Sequence, residues 1–72
     1  MLYAQRYEVL RQRLVQSRID AGLTQVALAK KLGKGQSFVS KVETGERYLD
    51  VLQFVLWCEA CEASAAGLIA LV

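Results

Sequence analysis

The sequence predicts an all-α fold of five helices. Three observations lead there. Apolar residues recur at three- and four-residue steps, no alternating apolar-polar run of four or more is bounded by turn residues, and glycines and short polar cap residues divide the chain at regular intervals. Seventy-two residues make one domain, and a chain of that size buries only about 60% of the surface its unfolded form exposes. An apolar content of 54% is high for so small a unit. A second copy covering part of the surplus is the simplest explanation, so a homodimer is expected.

The first helix is marked by Tyr3, Tyr7, Leu10, Leu14 and then Arg18 with Ile19, with Arg and Gln between them. It should run from about Tyr3 to Ala21 and stop at Gly22, which can adopt the left-handed conformation that ends a helix. Thr24 then offers a hydroxyl to the open amides of a second helix, Gln25 to Leu32, with Leu28, Ala29 and Leu32 on one side and Lys30 and Lys31 opposite. After Gly33-Lys34-Gly35, the stretch QSFVSKVET carries Val39 and Val42 inward and turns Gln36, Ser37, Ser40 and Lys41 to the opposite surface. Gly45 ends this third helix. Asp50 caps a fourth that reaches about Cys61, and Ser64 opens a fifth from Ala65 to about Leu71.

The fourth helix is apolar around more of its circumference than the roughly 100° stripe a surface helix needs. One face should fill the core. The surplus, together with Leu68, Ile69, Leu71 and Val72, is the candidate dimer surface, with Trp57 as its anchor. The alternative is that this helix is central and covered by its own chain.

Net charge is only +2, but it is unevenly placed. Residues 1–22 carry +2, residues 23–47 carry +3, and residues 48–72 carry −3. A basic front and an acidic rear suit a protein that turns one face to a polyanion, although a solvated pattern without function would look the same. No segment approaches the roughly 18 to 20 apolar residues of a membrane span. The N-terminus lacks the layout of a signal peptide, so no membrane partner and a cytoplasmic location are expected.

Cys58 and Cys61 form one C-x-x-C, and the chain has no histidine. A zinc site needs a second pair or added histidines, and a redox pair needs a strand-helix setting. Buried structural thiols are expected instead, with no metal and no cofactor. An enzyme is disfavoured for similar reasons: there is no His, no carboxylate pair in an apolar setting, and no nucleophile beside a base. Gly33-Lys34-Gly35 also fails as a nucleotide cradle, because Lys34 follows a helix and no Ser or Thr follows it directly.

A helix-turn-helix satisfies the same residues better. Two short helices meet through a tight turn, and the second lays its N-terminal residues in the major groove of DNA. Such a helix must carry amides, hydroxyls or cations outward and apolar residues inward, as Gln36, Ser37, Ser40 and Lys41 do against Val39 and Val42.

At this point TQVALAKKLGKGQSFVSKVETGER, residues 24–47, resembles the helix-turn-helix of the Cro/phage-repressor (xenobiotic-response-element) family of bacterial and phage transcription regulators. The resemblance runs from about Leu14 to Leu68, with the motif itself at about 24–43. It implies a five-helix, lambda-repressor-like domain that binds a double-stranded DNA operator as a dimer. Carried over position by position, it assigns base reading to Gln36, Ser37, Ser40 and Lys41. It assigns backbone contacts to Thr24, which also caps the second helix, and to Gln25, Lys34, Phe38 and Arg47. It implies an internal salt bridge between Arg18 and Glu43; a solvated or DNA-facing Arg18 is the alternative. Two positions depart from the family pattern. Gly35 stands where a capping Ser or Thr is usual, and Glu62 where a small or apolar residue is usual.

The expected function is therefore sequence-specific transcriptional regulation, as a repressor, by a domain without a built-in ligand sensor. The rival from another class is an antitoxin-like module whose fourth helix and C-terminus cover a protein partner, with DNA binding secondary.

Overall fold

The computed structural model describes residues 2–70 and 72. Among them are five α-helices and no strand: α1 (Leu2–Asp20), α2 (Gln25–Leu32), α3 (Gln36–Thr44), α4 (Val51–Ala60) and α5 (Ala65–Ile69). Three open on a side-chain cap, which satisfies amides that have no partner inside the helix. Thr24 accepts from the Ala27 N–H at 3.0 Å, and Ser64 from the Gly67 N–H at 3.0 Å. Asp50 accepts from the Gln53 N–H at 2.7 Å while Gln53 Oε1 accepts from the Asp50 N–H at 3.0 Å, a reciprocal capping box. α3 opens without one, because Gly35 supplies no side chain.

Four helices end in one geometry. The N–H two or three residues past the helix reaches back to a carbonyl five residues earlier: Leu23 to Arg18, Lys34 to Ala29, Glu46 to Lys41 and Ala63 to Cys58, at 2.8 to 3.1 Å. This motif places one residue in the left-handed region. Gly22, Gly33 and Gly45 occupy it after α1, α2 and α3, with φ of 74°, 68° and 87°. After α4 the residue is Glu62, with φ of 54°. The departure noted in the sequence is thus a side chain held where only glycine is unstrained.

The core gathers one face of every helix. Leu14, Leu28, Val39, Val42 and Trp57 are fully buried, and Ala29, Cys58, Cys61 and Leu68 nearly so. Leu10, Leu23, Leu32, Phe38, Leu49 and Phe54 pack around them. α2 packs chiefly on α3, α1 crosses α3, and α4 supports α2 from behind. The ring of Tyr7 in α1 lies against that of Tyr48, centroids 4.3 Å apart, which ties the segment before α4 to the first helix.

Two expected dimer residues belong to this core instead. Trp57 is 0% exposed, and its indole N–H reaches the Leu14 carbonyl and the Ser17 hydroxyl, both at 3.3 Å. Ser17 in turn donates to the Leu14 carbonyl at 2.7 Å. A buried indole requires an acceptor, and α1 provides two. Leu68 likewise faces inward. Ile69 is exposed and Val72 half-buried, while Leu71 lies outside the described residues. What α4 turns outward is Val51, Leu52 and Leu56, at 81%, 66% and 43% exposure.

Because Glu62 is exposed and its backbone occupies the left-handed region, Glu62→Gly should raise stability by about 1 kcal/mol. Urea unfolding with circular dichroism measures it. A destabilised variant would mean that the Glu62 side chain makes a compensating contact.

Candidate nucleic-acid interface

α2 and α3 form the helix-turn-helix. Gly33 in the left-handed conformation reverses the chain immediately after α2, and Gly35 starts α3 from an extended conformation with φ of −81°. Val39 and Val42 then anchor α3 in the core. The 3.6-residue period puts Gln36, Ser37 and Lys41 on the exposed face, with Ser40 half-buried beside them. The base-reading candidates thus share one surface.

The position of α3 is fixed from below by Glu43. Its side chain is 7% exposed and meets that of Arg18, 14% exposed, in a two-point contact, Nε to Oε2 at 2.6 Å and Nη2 to Oε1 at 3.1 Å. Arg18 also donates to the Leu23 carbonyl at 2.8 Å, so it braces the α1–α2 connection as well. The hydrogen-bonded carboxylate of Glu43 raises the Arg18 pKa above its ordinary value.

Two glutamines extend this pair to the surface. Gln25 Nε2 donates to Glu43 Oε1 at 2.9 Å, and Gln36 Nε2 donates to Gln25 Oε1 at 3.0 Å. The direction of each bond follows from the carboxylate. An ionised Glu43 can only accept, so Gln25 must offer its NH₂ downward and its carbonyl upward, and Gln36 must then offer its own NH₂ to Gln25. Gln36 Oε1 is left at the exposed end of the chain.

The Gln25 side chain is therefore engaged inward, and what faces outward from α2 is its first turn of amides. Thr24 satisfies one of them at Ala27. Lys34 and Arg47 converge on the half-buried Phe38, with Lys34 Nζ 5.4 Å and Arg47 Cζ 4.9 Å from the ring centroid.

Sequence reasoning missed Arg11. Its Nη1 donates to the Glu43 main-chain carbonyl at the end of α3, and its remaining nitrogens pair with Glu8. The Glu8–Arg11 spacing of three was visible as a helical ion pair, but the contact with Glu43, 32 residues away, had no local signal. Bonding to Arg11 holds the Glu8 carboxyl below the usual carboxylate range.

The cysteines lie outside this arrangement. Both are free and buried, and burial pushes both thiols above their ordinary range, so neither is an activated nucleophile. Cys61 borders an open cleft of 620 Å³ between α1 and the α4–α5 turn, away from the exposed face of α3. Among the described residues no cluster of metal-ligating side chains occurs, and no helix is long and apolar enough to cross a membrane.

A short helix pair of this geometry, locked by a buried Arg-Glu contact and exposing amides, hydroxyls and a lysine, defines a DNA-binding helix-turn-helix class. The helix-turn-helix family profile matches residues 14–68. A solved structure, an XRE-family like protein from Pseudomonas syringae pv. tomato str. DC3000, superposes with a TM-score of 0.91 at 40% identity, over 96% of this chain and 84% of that one. No curated protein matches. The chain belongs to the Cro/phage-repressor (xenobiotic-response-element) family of helix-turn-helix DNA-binding transcription regulators.

Breaking the buried pair leaves one charge uncompensated. Glu43→Gln should cost roughly 2 to 3 kcal/mol of stability, since the pair is largely but not wholly buried. Denaturant melts give the value, and a loss below about 0.5 kcal/mol would place the pair with weak surface bridges.

Proposed function

We propose that the protein is a sequence-specific double-stranded-DNA-binding regulator, a repressor, that acts as a homodimer with α3 in the major groove. The observation that carries this reading is the hydrogen-bonded chain from Glu43 through Gln25 to Gln36. It holds the first residue of the reading helix in one orientation before any DNA arrives, which reduces the entropy lost on binding.

Its polarity also supports a base preference. With one N–H given to Gln25, Gln36 retains a second N–H and a free carbonyl. An amide presenting both a donor and an acceptor matches the N7 and N6–H of adenine. Ser37 and Ser40 add hydroxyls that serve as donor or acceptor, and Lys41 reaches either a guanine edge or a phosphate. Backbone phosphates are met by the first turn of α2 at Thr24 and Gln25, where open amides favour an anion, and by Lys34 and Arg47. Occupying the operator would block transcription by exclusion.

A homodimer suits the surface as well as the family. The apolar residues that α4 leaves outward, Val51, Leu52 and Leu56, follow the α3–α4 turn at the end of the reading helix. A two-fold contact there would set two α3 helices side by side, as a two-half-site operator needs. The same exposed face is what favours the second reading, an antitoxin-like module that covers a different protein.

Two measurements test these readings. Gln36→Ala combined with Ser40→Ala should remove preference for the selected operator by about tenfold to a hundredfold, while salt-dependent binding to random DNA persists and the chain stays folded with a modestly lower melting temperature, since the Gln36–Gln25 bond is lost. A parent chain that binds all sequences equally would end the base-reading proposal. In sedimentation, Leu52→Asp with Leu56→Asp should convert a dimer to a folded monomer; a dimer that survives the change uses another surface, and a parent that is monomeric alone favours the partner-binding reading.

A further inference from the structure

The two cations nearest the reading helix come from opposite ends of it. Lys34 lies in the turn before α3, and Arg47 lies beyond the Gly45 turn that follows it. Both are exposed, and nothing in the sequence obliges their side chains to meet. They meet on one ring. Lys34 Nζ is 5.4 Å and Arg47 Cζ 4.9 Å from the centroid of Phe38.

This arrangement runs against simple electrostatics. Both charges reach one ring, so they lie within about 10 Å of each other, about one Debye length at 0.1 M salt, and they repel. The attraction of each cation to the negative face of the ring offsets that repulsion. Phe38 is itself held by packing against the core, and it therefore acts as a fixed support for two otherwise mobile side chains. Long flexible cations normally lose rotamer freedom when they bind phosphate. Here part of that loss occurs on folding.

The geometry points to Phe38 as a positioning residue that assembles Lys34 and Arg47 into a clamp for the DNA backbone phosphates on one flank of α3. This deepens the proposed DNA-binding function and rests on it, but not on base reading, because the clamp acts on any duplex. The clamp adds to the phosphate contacts proposed at the start of α2, while the exposed face of α3 addresses the bases. Phe38 touches neither base nor phosphate in this role. It acts through the cations.

The test uses the whole chain and a labelled duplex of random sequence, with affinity followed from about 50 to 200 mM salt. Phe38→Leu keeps an apolar side chain against the core and removes the ring. It should weaken binding about threefold to tenfold and flatten the plot of log affinity against log salt by about one unit, the slope of one phosphate contact. Phe38→Tyr, which restores the ring, should bind as the parent does. In a Lys34→Met, Arg47→Met background, Phe38→Leu should have no further effect on affinity or slope, because the ring then has nothing to position.

A side-chain NMR spectrum of the free parent gives a reading that needs no variant to fold. The methylene protons of Lys34 and Arg47 nearest the charge should be shifted upfield by the ring current. Parent-like binding by Phe38→Leu, an equal loss in the Lys34→Met, Arg47→Met background, or ordinary chemical shifts for both cations would each overturn the proposal. A parent that shows no salt-dependent duplex binding would overturn the DNA-binding reading and the clamp with it. Parent binding with an unaffected Phe38→Leu would overturn the clamp alone.

Discussion

The structure turns on one carboxylate. Glu43 sits near the C-terminal end of the reading helix, and α1 reaches it twice, through Arg18 at the side chain and through Arg11 at the main-chain carbonyl. α2 reaches it a third time through Gln25. Taking Glu43 and Arg18 out of water is costly, and the attraction between them does little more than offset that cost. What the pair contributes is placement. Two parallel N–H···O contacts hold a planar guanidinium against a planar carboxylate in one relative orientation, so α3 has little freedom to roll against α1. Hydrophobic contacts through Val39 and Val42 hold α3 close but would tolerate several angles; the ion pair selects among them.

The same carboxylate sets the chemistry of the surface. An amide can present either end, and two glutamines in series would ordinarily leave four combinations open. Anchoring one end on a group that only accepts removes that freedom step by step, until the exposed end of Gln36 has a defined donor and acceptor. A charge too buried to meet DNA thereby influences what a residue on the surface presents to it. Partly satisfied polar networks are unstable, and this one has a partner at every link.

Much of this was legible in the sequence, and the boundary is physical. Thr24, Gly33, Gly45, Asp50 and Ser64 acted as read because caps and left-handed turns depend on neighbours within a few residues. The orientation of α3 followed from its strong two-sidedness. α4 could not be oriented the same way: it is apolar on nearly all sides, so periodicity alone does not say which side is inward. The deciding fact was tertiary, an acceptor for the Trp57 indole on α1, and it moved Trp57 from the expected outer surface to the centre of the core. Arg11, the inward turn of Gln25 and the convergence of Lys34 and Arg47 on Phe38 were hidden for the same reason. Apart from the Lys34–Phe38 contact, four positions apart, each joins segments at least nine positions apart, through side chains whose local pattern reads as solvated.

Gly35 shows how the local and tertiary levels compensate. A helix that starts without a side-chain cap has open amides and a weakly held first turn, which is a poor foundation for residues that must be placed within a fraction of an ångström. In α3 the missing cap is replaced from a distance. Gln36, the first residue of the helix, is tied to Gln25 and through it to Glu43, so the start of α3 is fastened by its side chain to the same carboxylate that fixes its end. A local Ser or Thr cap would steady the first turn whatever the rest of the fold did. The tertiary fastening does so only when α1, α2 and α3 are correctly assembled. It also leaves the first turn of α3 without a side-chain acceptor, beside the exposed Lys34. Order at the start of α3 thus depends on completion of the fold and not on a neighbour in sequence.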